Sequence, residues 1–167
     1  VQAGVGALAA SVCAAFWLAW EARRPELVIV EPTQADCHFQ SGVAGRPITV
    51  TGDLDTVMAG LACGEVSPLA WEIVDAGANA YVVVDDRFAL DAMRTLAAPA
   101  PGDPAIVAGE TGASGLAALL AAKDHAEIWQ TLSLDGRSRV LLIGSEGDTD
   151  PEIYRQIVAR AERKAAT

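Results

Sequence analysis

The sequence VQAGVGALA at residues 1–9 is a turn of small residues that opens a helix. We predict this helix over Leu8–Arg23, because the segment is rich in good helix formers and ends at an arginine pair followed by Pro25. Backbone N–H groups at the start of a helix point outward without partners, at the positive end of the helix dipole. Small side chains let an anion come close to them, so the turn suits a phosphate group. Tight packing of a helix on a strand is the structural alternative for the same glycines.

Short apolar runs rich in β-branched residues predict strands that are buried on both faces of a parallel sheet. These runs are Leu27–Val30, Ile48–Val50, Tyr81–Val84 and Val140–Ile143. Helical patterns separate them, over Leu69–Asp75, from Asp85 or Asp86 to Leu96, from Gly112 to Ala122 and over Pro151–Lys164. Strands that alternate with helices indicate an α/β fold, with residues 1–167 as a single unit.

Ligands of α/β folds bind beyond the carboxyl ends of the strands, at the loops that lead into helices. Three loops rich in glycine and other small or polar residues have that position, namely Gln2–Ala7, Gly109–Gly115 and Gly144–Asp150. We expect these loops to converge on one site.

A few polar side chains in or near these loops are candidates for contacting a ligand. Ser145 directly follows the last predicted strand, where its hydroxyl can hydrogen-bond a ring nitrogen or cap the turn. Glu110 lies at the entry to a helix, where an acid can face a ligand or cap the helix. Glu65 ends the segment MAGLACGE (residues 58–65) and can serve a ligand or a salt bridge.

Composition and charge exclude several classes of protein. The chain has 167 residues, 51% of them hydrophobic and 20% charged, which excludes intrinsic disorder. Its net charge of −10 argues against nucleic acid and against anionic lipid as partners. Val1–Trp20 carries no charge and has the length of a membrane-spanning helix, but its alanine, glycine, glutamine and serine content argues against insertion. We therefore predict small-molecule chemistry without a membrane or nucleic-acid partner.

Cysteine and histidine residues are few and widely spaced. Cys13, Cys37, Cys63, His38 and His125 lack the spacing of a zinc motif, so no metal site is predicted. We interpret the cysteines as reduced and mostly buried thiols of a cytoplasmic protein. A Cys37–Cys63 pair is the alternative.

The motifs of the chain, taken together and in order, resemble those of the diaminopropionate ammonia-lyases. These are members of the fold-type II, or tryptophan synthase β-like, pyridoxal-phosphate-dependent enzymes. The motifs are VQAGVGALA at 1–9, VEP and ADC within 30–37, GDLDTVMAGLACGE at 52–65, GETG at 109–112 and SEGDTD at 145–150. The resemblance implies a three-layer α/β sandwich with a mainly parallel sheet.

The resemblance also implies a reaction, an α,β-elimination dependent on pyridoxal 5'-phosphate. In the family, 2,3-diaminopropionate loses its α-proton and its β-amino group, and the product hydrolyses to pyruvate and a second ammonia. The N–H groups that would bind the cofactor phosphate are those of Gly4, Val5, Gly6 and Ala7. Ser145 matches the residue whose hydroxyl meets the pyridine nitrogen, and Glu110 matches an acid near the ring. Threonine and serine dehydratases share the glycine loop and the Ser145 motif, so a dehydratase-like activity is the alternative.

The catalytic residues of the family do not match this chain. The resemblance places the lysine that binds the cofactor, and an aspartate that acts on the α-carbon, upstream of the glycine loop, and neither Lys123 nor Lys164 matches that lysine. We interpret residues 1–167 as the C-terminal portion of a longer enzyme, which the resemblance implies to be a cytoplasmic homodimer. Such a portion is expected to expose apolar surface. A non-catalytic module derived from such an enzyme is the alternative.

Overall fold

The computed structural model describes residues 1–165, in which helices and strands alternate along the chain. The helices are α1 (Ala7–Trp20), α2 (Cys37–Ala44), α3 (Pro68–Gly77), α4 (Asp86–Ala97), α5 (Ser114–Asp124), α6 (Ala126–Thr131) and α7 (Pro151–Ala165). The strands are β1 (Val28–Pro32) and β2 (Ala80–Val84), and single 3-10 turns cover Glu21–Arg23 and Ala59–Leu61. Within residues 1–165, every helix is too short or too polar to cross a membrane.

The sheet is parallel, as the continuous apolar runs predict. β1 pairs with β2 along its whole length, from Val28 opposite Ala80 to Pro32 opposite Val84. The opening residues of the chain extend this pairing, because the N–H of Val30 donates to the carbonyl of Val1 (2.9 Å) and the N–H of Ala3 donates to that of Val30 (3.0 Å). β1 therefore lies between β2 and the segment that leads into the glycine turn.

Helices cover both faces of this sheet, because successive strand residues point to opposite sides. Ile29 packs with Cys13 of α1 and Val74 of α3 on one face. Val30, one residue further along β1, packs on the other face with residues of α4 and α5, including Met93 and Ala117. The three-layer α/β arrangement implied by the resemblance is confirmed.

Two predicted strands are wrong. Along Ile48–Val50 the N–H of Ile48 donates to Ser41 Oγ (2.9 Å) and that of Val50 donates to the Gly64 carbonyl (2.8 Å), so this backbone bonds to a helix side chain and a loop. Val140–Ile143 forms no backbone ladder with any residue of the described part of the chain. It lines an apolar cavity of about 420 Å³, and Leu141 remains 65% exposed.

Helices α2 and α6 lie where the sequence predicts none. The first turn of α2 is stabilised from outside its own segment, because Glu31 of β1 accepts hydrogen bonds from the N–H groups of His38 and Phe39. The cap of α7 comes instead from the residue next to the helix, because Asp150 accepts hydrogen bonds from the N–H groups of Glu152 and Ile153.

The packing of α1 on α3 depends on a glycine, and its replacement should destabilise the protein. A Cβ at Gly77 would overlap Cys13 Sγ and lie 3.0 Å from the Trp17 ring. We expect Gly77→Ala to lower the free energy of unfolding by about 1–3 kcal/mol, although alanine is the better helix former, because overpacking forces α1 and α3 apart. Urea denaturation measures this effect.

Gly136→Ala is the matched control, since a Cβ there meets nothing within 4 Å. Adding Cys13→Ala to Gly77→Ala should recover part of the lost stability, because it removes the nearest obstacle. Equal free energies of unfolding for Gly77→Ala and Gly136→Ala would contradict the close approach of the two helices.

Candidate functional site

The three loops expected to converge do so, and a fourth segment joins them. The side-chain amide of Gln2 donates to Ser145 Oγ, which joins the first loop to the last. The N–H of Gly109 donates to the carbonyl of Glu146 (3.2 Å). The N–H of Gly60, in the MAGLACGE segment, donates to Thr111 Oγ1 (3.2 Å). The polar loops at the carboxyl ends of the parallel strands therefore form one surface.

Both glycines of the first loop are required by its geometry. Gly6 has a φ of 99° at the N-cap of α1, a backbone conformation that side chains with a Cβ disfavour. Gly4 has an ordinary φ but no room, because a Cβ there would lie 2.9 Å from the Gly60 carbonyl oxygen and 3.1 Å from Cys63 Sγ. The loop is thus fixed by conformation at one glycine and by contact at the other.

The same loop offers unpaired hydrogen-bond donors. Within residues 1–165, the N–H groups of Gly4, Val5, Gly6 and Ala7 donate to no backbone or side-chain acceptor. Val5 and Ala7 are exposed, Gly4 is half-buried, and Gly6 is buried against the His38 ring. Unpaired N–H groups at an open helix start, next to the positive end of its dipole, fit a phosphate group. The glycine loop of the structure therefore fits the phosphate-binding role that the sequence predicts for it.

A buried histidine lies directly beneath this loop. The imidazole of His38 is fully buried, and a Cβ on Gly6 would lie 2.5 Å from its Cε1 and Nε2 atoms. Neither ring nitrogen has a hydrogen-bond partner in the described residues. Burial lowers the pKa of His38, and the nearby carbonyl of Val5 only partly offsets this. The loop therefore rests on a neutral imidazole.

A buried carboxylate orders the helix that carries His38. Glu31 is 1% exposed, and its oxygens accept from the N–H groups of His38 (2.8 Å) and Phe39 (2.7 Å) at the start of α2. Burial raises the pKa of Glu31 to about 7, although these hydrogen bonds favour the charged form. Cys37 is also buried, and its pKa is raised to about 12. Burial is the main cause, and the nearby negative charge of Glu31 adds to it. Cys13, Cys37 and Cys63 are all free thiols.

Ser145 and Glu110 occupy different environments. Ser145 is exposed, with its Oγ held by Gln2, whose side chain is only 2% exposed. Glu110 is half-buried in the turn before α5, and its carboxylate has no hydrogen bond or ion pair within residues 1–165. Glu65 is exposed and likewise without such a partner in the described chain. Ser145 is thus anchored by a neighbour, whereas the two acids are not.

Four residues that matter to this geometry were missed by sequence reasoning: Gln2, Glu31, His38 and Glu146. The last of these joins two loops, because Glu146 Oε2 accepts from the N–H of Thr111 (3.0 Å) and Oε1 accepts from the Thr149 hydroxyl (3.1 Å). Its position directly after Ser145 was the available signal. Gln2 is too far from Ser145 in the sequence to suggest contact, and the bond from the N–H of His38 to Glu31 depends on how the chain turns between β1 and α2.

The sequence of the chain is similar to a known family of enzymes. Residues 1–143 match the family model described as "Pyridoxal-phosphate dependent enzyme". Diaminopropionate ammonia-lyase of Escherichia coli (strain K12) is 41% identical over 169 residues, and the match covers 99% of this chain and 42% of that protein.

Solved structures give the same picture. Escherichia coli diaminopropionate ammonia lyase in complex with an aminoacrylate-PLP azomethine reaction intermediate has a TM-score of 0.86 at 38% identity, covering 97% of this chain and 42% of that one. A threonine deaminase from T.th. has a TM-score of 0.66 at 25% identity, covering 75% and 43% respectively. The chain thus spans less than half the length of the relatives it matches.

The raised pKa of Glu31 makes stability depend on pH in a defined direction. Between the ordinary pKa of 4.5 and the folded value of about 7, the folded protein holds a proton that the unfolded chain has released, so stability falls as pH rises through this window. Relative to Glu31→Gln, we expect the free energy of unfolding to fall by up to about 3 kcal/mol between about pH 5 and about pH 8. Urea denaturation at the two pH values measures this difference.

His38 contributes the opposite slope, because its lowered pKa favours folding as pH rises, but it is present in both proteins and cancels in the comparison. A stability difference between the wild type and Glu31→Gln that is constant across this range would show that Glu31 is ionised in the folded protein throughout.

The contact between Gly6 and His38 predicts a second stability effect. Gly6→Ala introduces both a disfavoured φ and a clash with the imidazole, whereas Gly45→Ala introduces a disfavoured φ of 63° with nothing within 4 Å. We expect Gly6→Ala to cost about 1–3 kcal/mol more than Gly45→Ala in urea denaturation, because only the former overpacks the loop. Adding His38→Ala to Gly6→Ala should narrow that gap, and a gap unchanged by it would rule out the contact.

Proposed function

This chain belongs to the pyridoxal-phosphate-dependent enzymes, and on that premise we propose that it is the C-terminal portion of a longer enzyme that converts 2,3-diaminopropionate to pyruvate and ammonia. The observation that carries the proposal is the 41% identity to a diaminopropionate ammonia-lyase over 99% of the chain. Because the chain spans 42% of that relative's length, the activity is proposed for the whole protein.

The glycine loop is our candidate for holding the cofactor phosphate. The donors are the N–H groups of Gly4, Val5, Gly6 and Ala7, which lack acceptors in the described chain. Four N–H groups in one turn, at the positive end of a helix dipole, can bind an anion without a cationic side chain. His38 beneath the loop keeps Gly6 in place by contact and stays neutral, so it adds no charge to the site.

Ser145 is our candidate for contacting the cofactor ring. When bound, pyridoxal phosphate supplies an electron sink for negative charge that develops at the substrate α-carbon. A neutral hydroxyl beside the pyridine nitrogen leaves that nitrogen unprotonated, which moderates the sink and favours elimination over transamination. Glu110, half-buried in the adjoining loop, is the acid that we place near the ring.

The lysine that binds the cofactor is proposed to lie outside this chain. Lys123 is exposed near the end of α5, and Lys164 belongs to α7, so neither follows a strand into the loop surface. In this proposal residues 1–167 hold the phosphate and the ring, and the remainder of the protein supplies proton transfer at the α-carbon. We further propose that the whole protein is a cytoplasmic homodimer; its free thiols suit a reducing compartment.

A threonine or serine dehydratase is the second candidate activity. It is favoured by the structural likeness to a threonine deaminase, with which the chain has 25% identity. The two candidates differ in the leaving group, which is an amine in diaminopropionate and a hydroxyl in serine and threonine. The phosphate and ring contacts serve both, so the substrate must be chosen by contacts beyond the glycine loop and Ser145.

The experiment is a product assay on the full-length protein that contains this chain. We expect 2,3-diaminopropionate to yield ammonia at about twice the molar amount of pyruvate, because one ammonia leaves by elimination and a second by hydrolysis. Serine and threonine are assayed in parallel, and a dehydratase would release ammonia and its keto acid in equal amounts. Turnover of serine or threonine, without turnover of 2,3-diaminopropionate, would show that the protein is a dehydratase. If no substrate is turned over and no cofactor binds, the chain belongs to a non-catalytic module.

A further inference from the structure

Gln2 begins the glycine loop and contacts Ser145, in the last loop, through its side-chain amide. Its backbone lies in the parallel pairing with β1, as the bridge to Val30 shows. The side chain is 2% exposed, and its Nε2 donates to the hydroxyl oxygen of Ser145. The amide oxygen Oε1 is buried without a partner in residues 1–165. A buried amide that leaves its oxygen unpaired is costly, so its single bond to Ser145 calls for an explanation.

That bond determines what Ser145 can offer to a ligand. A serine hydroxyl has one hydrogen to donate and two lone pairs to accept. When Ser145 Oγ accepts from Gln2, its own hydrogen is left for another acceptor on the exposed side of the residue. An amide turned end for end would accept that hydrogen, and Ser145 could then only accept from a ligand. The orientation of Gln2 therefore selects between a donor and an acceptor at Ser145.

We propose that Gln2 is a positioning residue whose amide holds the Ser145 hydroxyl as a hydrogen-bond donor to the pyridine nitrogen of the cofactor. This inference rests on the proposed function, since it assumes that the ring lies against Ser145. In this proposal Gln2 influences whether the pyridine nitrogen carries a proton. A hydroxyl that donates a hydrogen bond favours the unprotonated nitrogen, whereas a hydroxyl that accepts one favours the protonated nitrogen. Gln2 acts through Ser145 and touches neither the substrate nor the reacting atoms.

The test uses the full-length protein loaded with pyridoxal phosphate carrying ¹⁵N in its ring. In the wild type we expect the ¹⁵N chemical shift of an unprotonated, hydrogen-bonded pyridine. At a pH above the raised pKa that burial gives a glutamate at position 2, Gln2→Glu replaces the donor by a carboxylate that only accepts, so Ser145 must turn its hydrogen toward residue 2. The ring signal should then move toward the range of protonated pyridine. Gln2→Met, which is apolar and of similar length, should move the signal toward that of a pyridine without a hydrogen bond.

Two further variants make the result specific. In a Ser145→Ala background, Gln2→Glu should leave the ring signal where Ser145→Ala alone puts it, because the path from residue 2 to the ring is gone. Gln40→Met is the matched control, since Gln40 is an exposed glutamine whose amide bonds only to Asp36. A purely structural role for Gln2 would change stability and leave the ring signal unmoved.

The outcomes separate this inference from the function on which it rests. Binding of the cofactor with a ring signal that is identical in the wild type, Gln2→Glu and Gln2→Met overturns the role of Gln2 alone. A wild-type signal of protonated pyridine also overturns it. Failure of the wild-type protein to bind the cofactor overturns the proposed function and this inference together. Gln2→Met keeps the test decisive if the buried carboxylate of Gln2→Glu prevents folding.

Discussion

Parallel pairing of the opening residues with β1, and of β1 with β2, is the constraint on which the loop surface depends. Because parallel strands point the same way, whatever follows each strand is brought to the same edge of the sheet. The glycine loop follows Ala3, α2 follows β1, and α4 follows β2, while Glu31 lies near the carboxyl end of β1 itself. A hydrogen-bond ladder between short apolar segments thus positions polar groups that are far apart in sequence.

Beneath the loop surface lies a set of buried polar side chains that an apolar core would not need. Gln2, Glu31 and His38 are each at most 2% exposed, and two of the three have polar atoms without partners in the described residues. Burying such groups is unfavourable unless they bond. Glu31 offsets its cost by capping α2, which holds the imidazole under Gly6. The hydrogen bonds of Glu31 to α2 thus offset the unfavourable burial of its carboxyl group. They also hold His38 in contact with the glycine loop.

The sequence predicted β1, β2 and five of the helices because each carries its signal within its own residues: an apolar run, a cap or a proline. α2 was missed because its cap, Glu31, is supplied by β1, and Val140–Ile143 was wrongly predicted as a strand because an apolar run does not reveal its pairing partner. The convergence of the three loops was predicted, since it follows from strand direction alone. Contacts such as Gln2 with Ser145, 143 residues apart, depend on tertiary packing and leave no local pattern.

The segment Val140–Ile143 has a consequence for how the chain behaves in concentrated solution. Its backbone is unpaired within residues 1–165, and Val140, Leu141 and Leu142 are 49%, 65% and 39% exposed. Exposed apolar side chains beside unpaired N–H and C=O groups favour association with another molecule. Arg137 and Arg139 precede the segment and act as charged gatekeepers. A charge at Leu141, the most exposed of these side chains, should therefore raise the concentration at which copies of this chain associate.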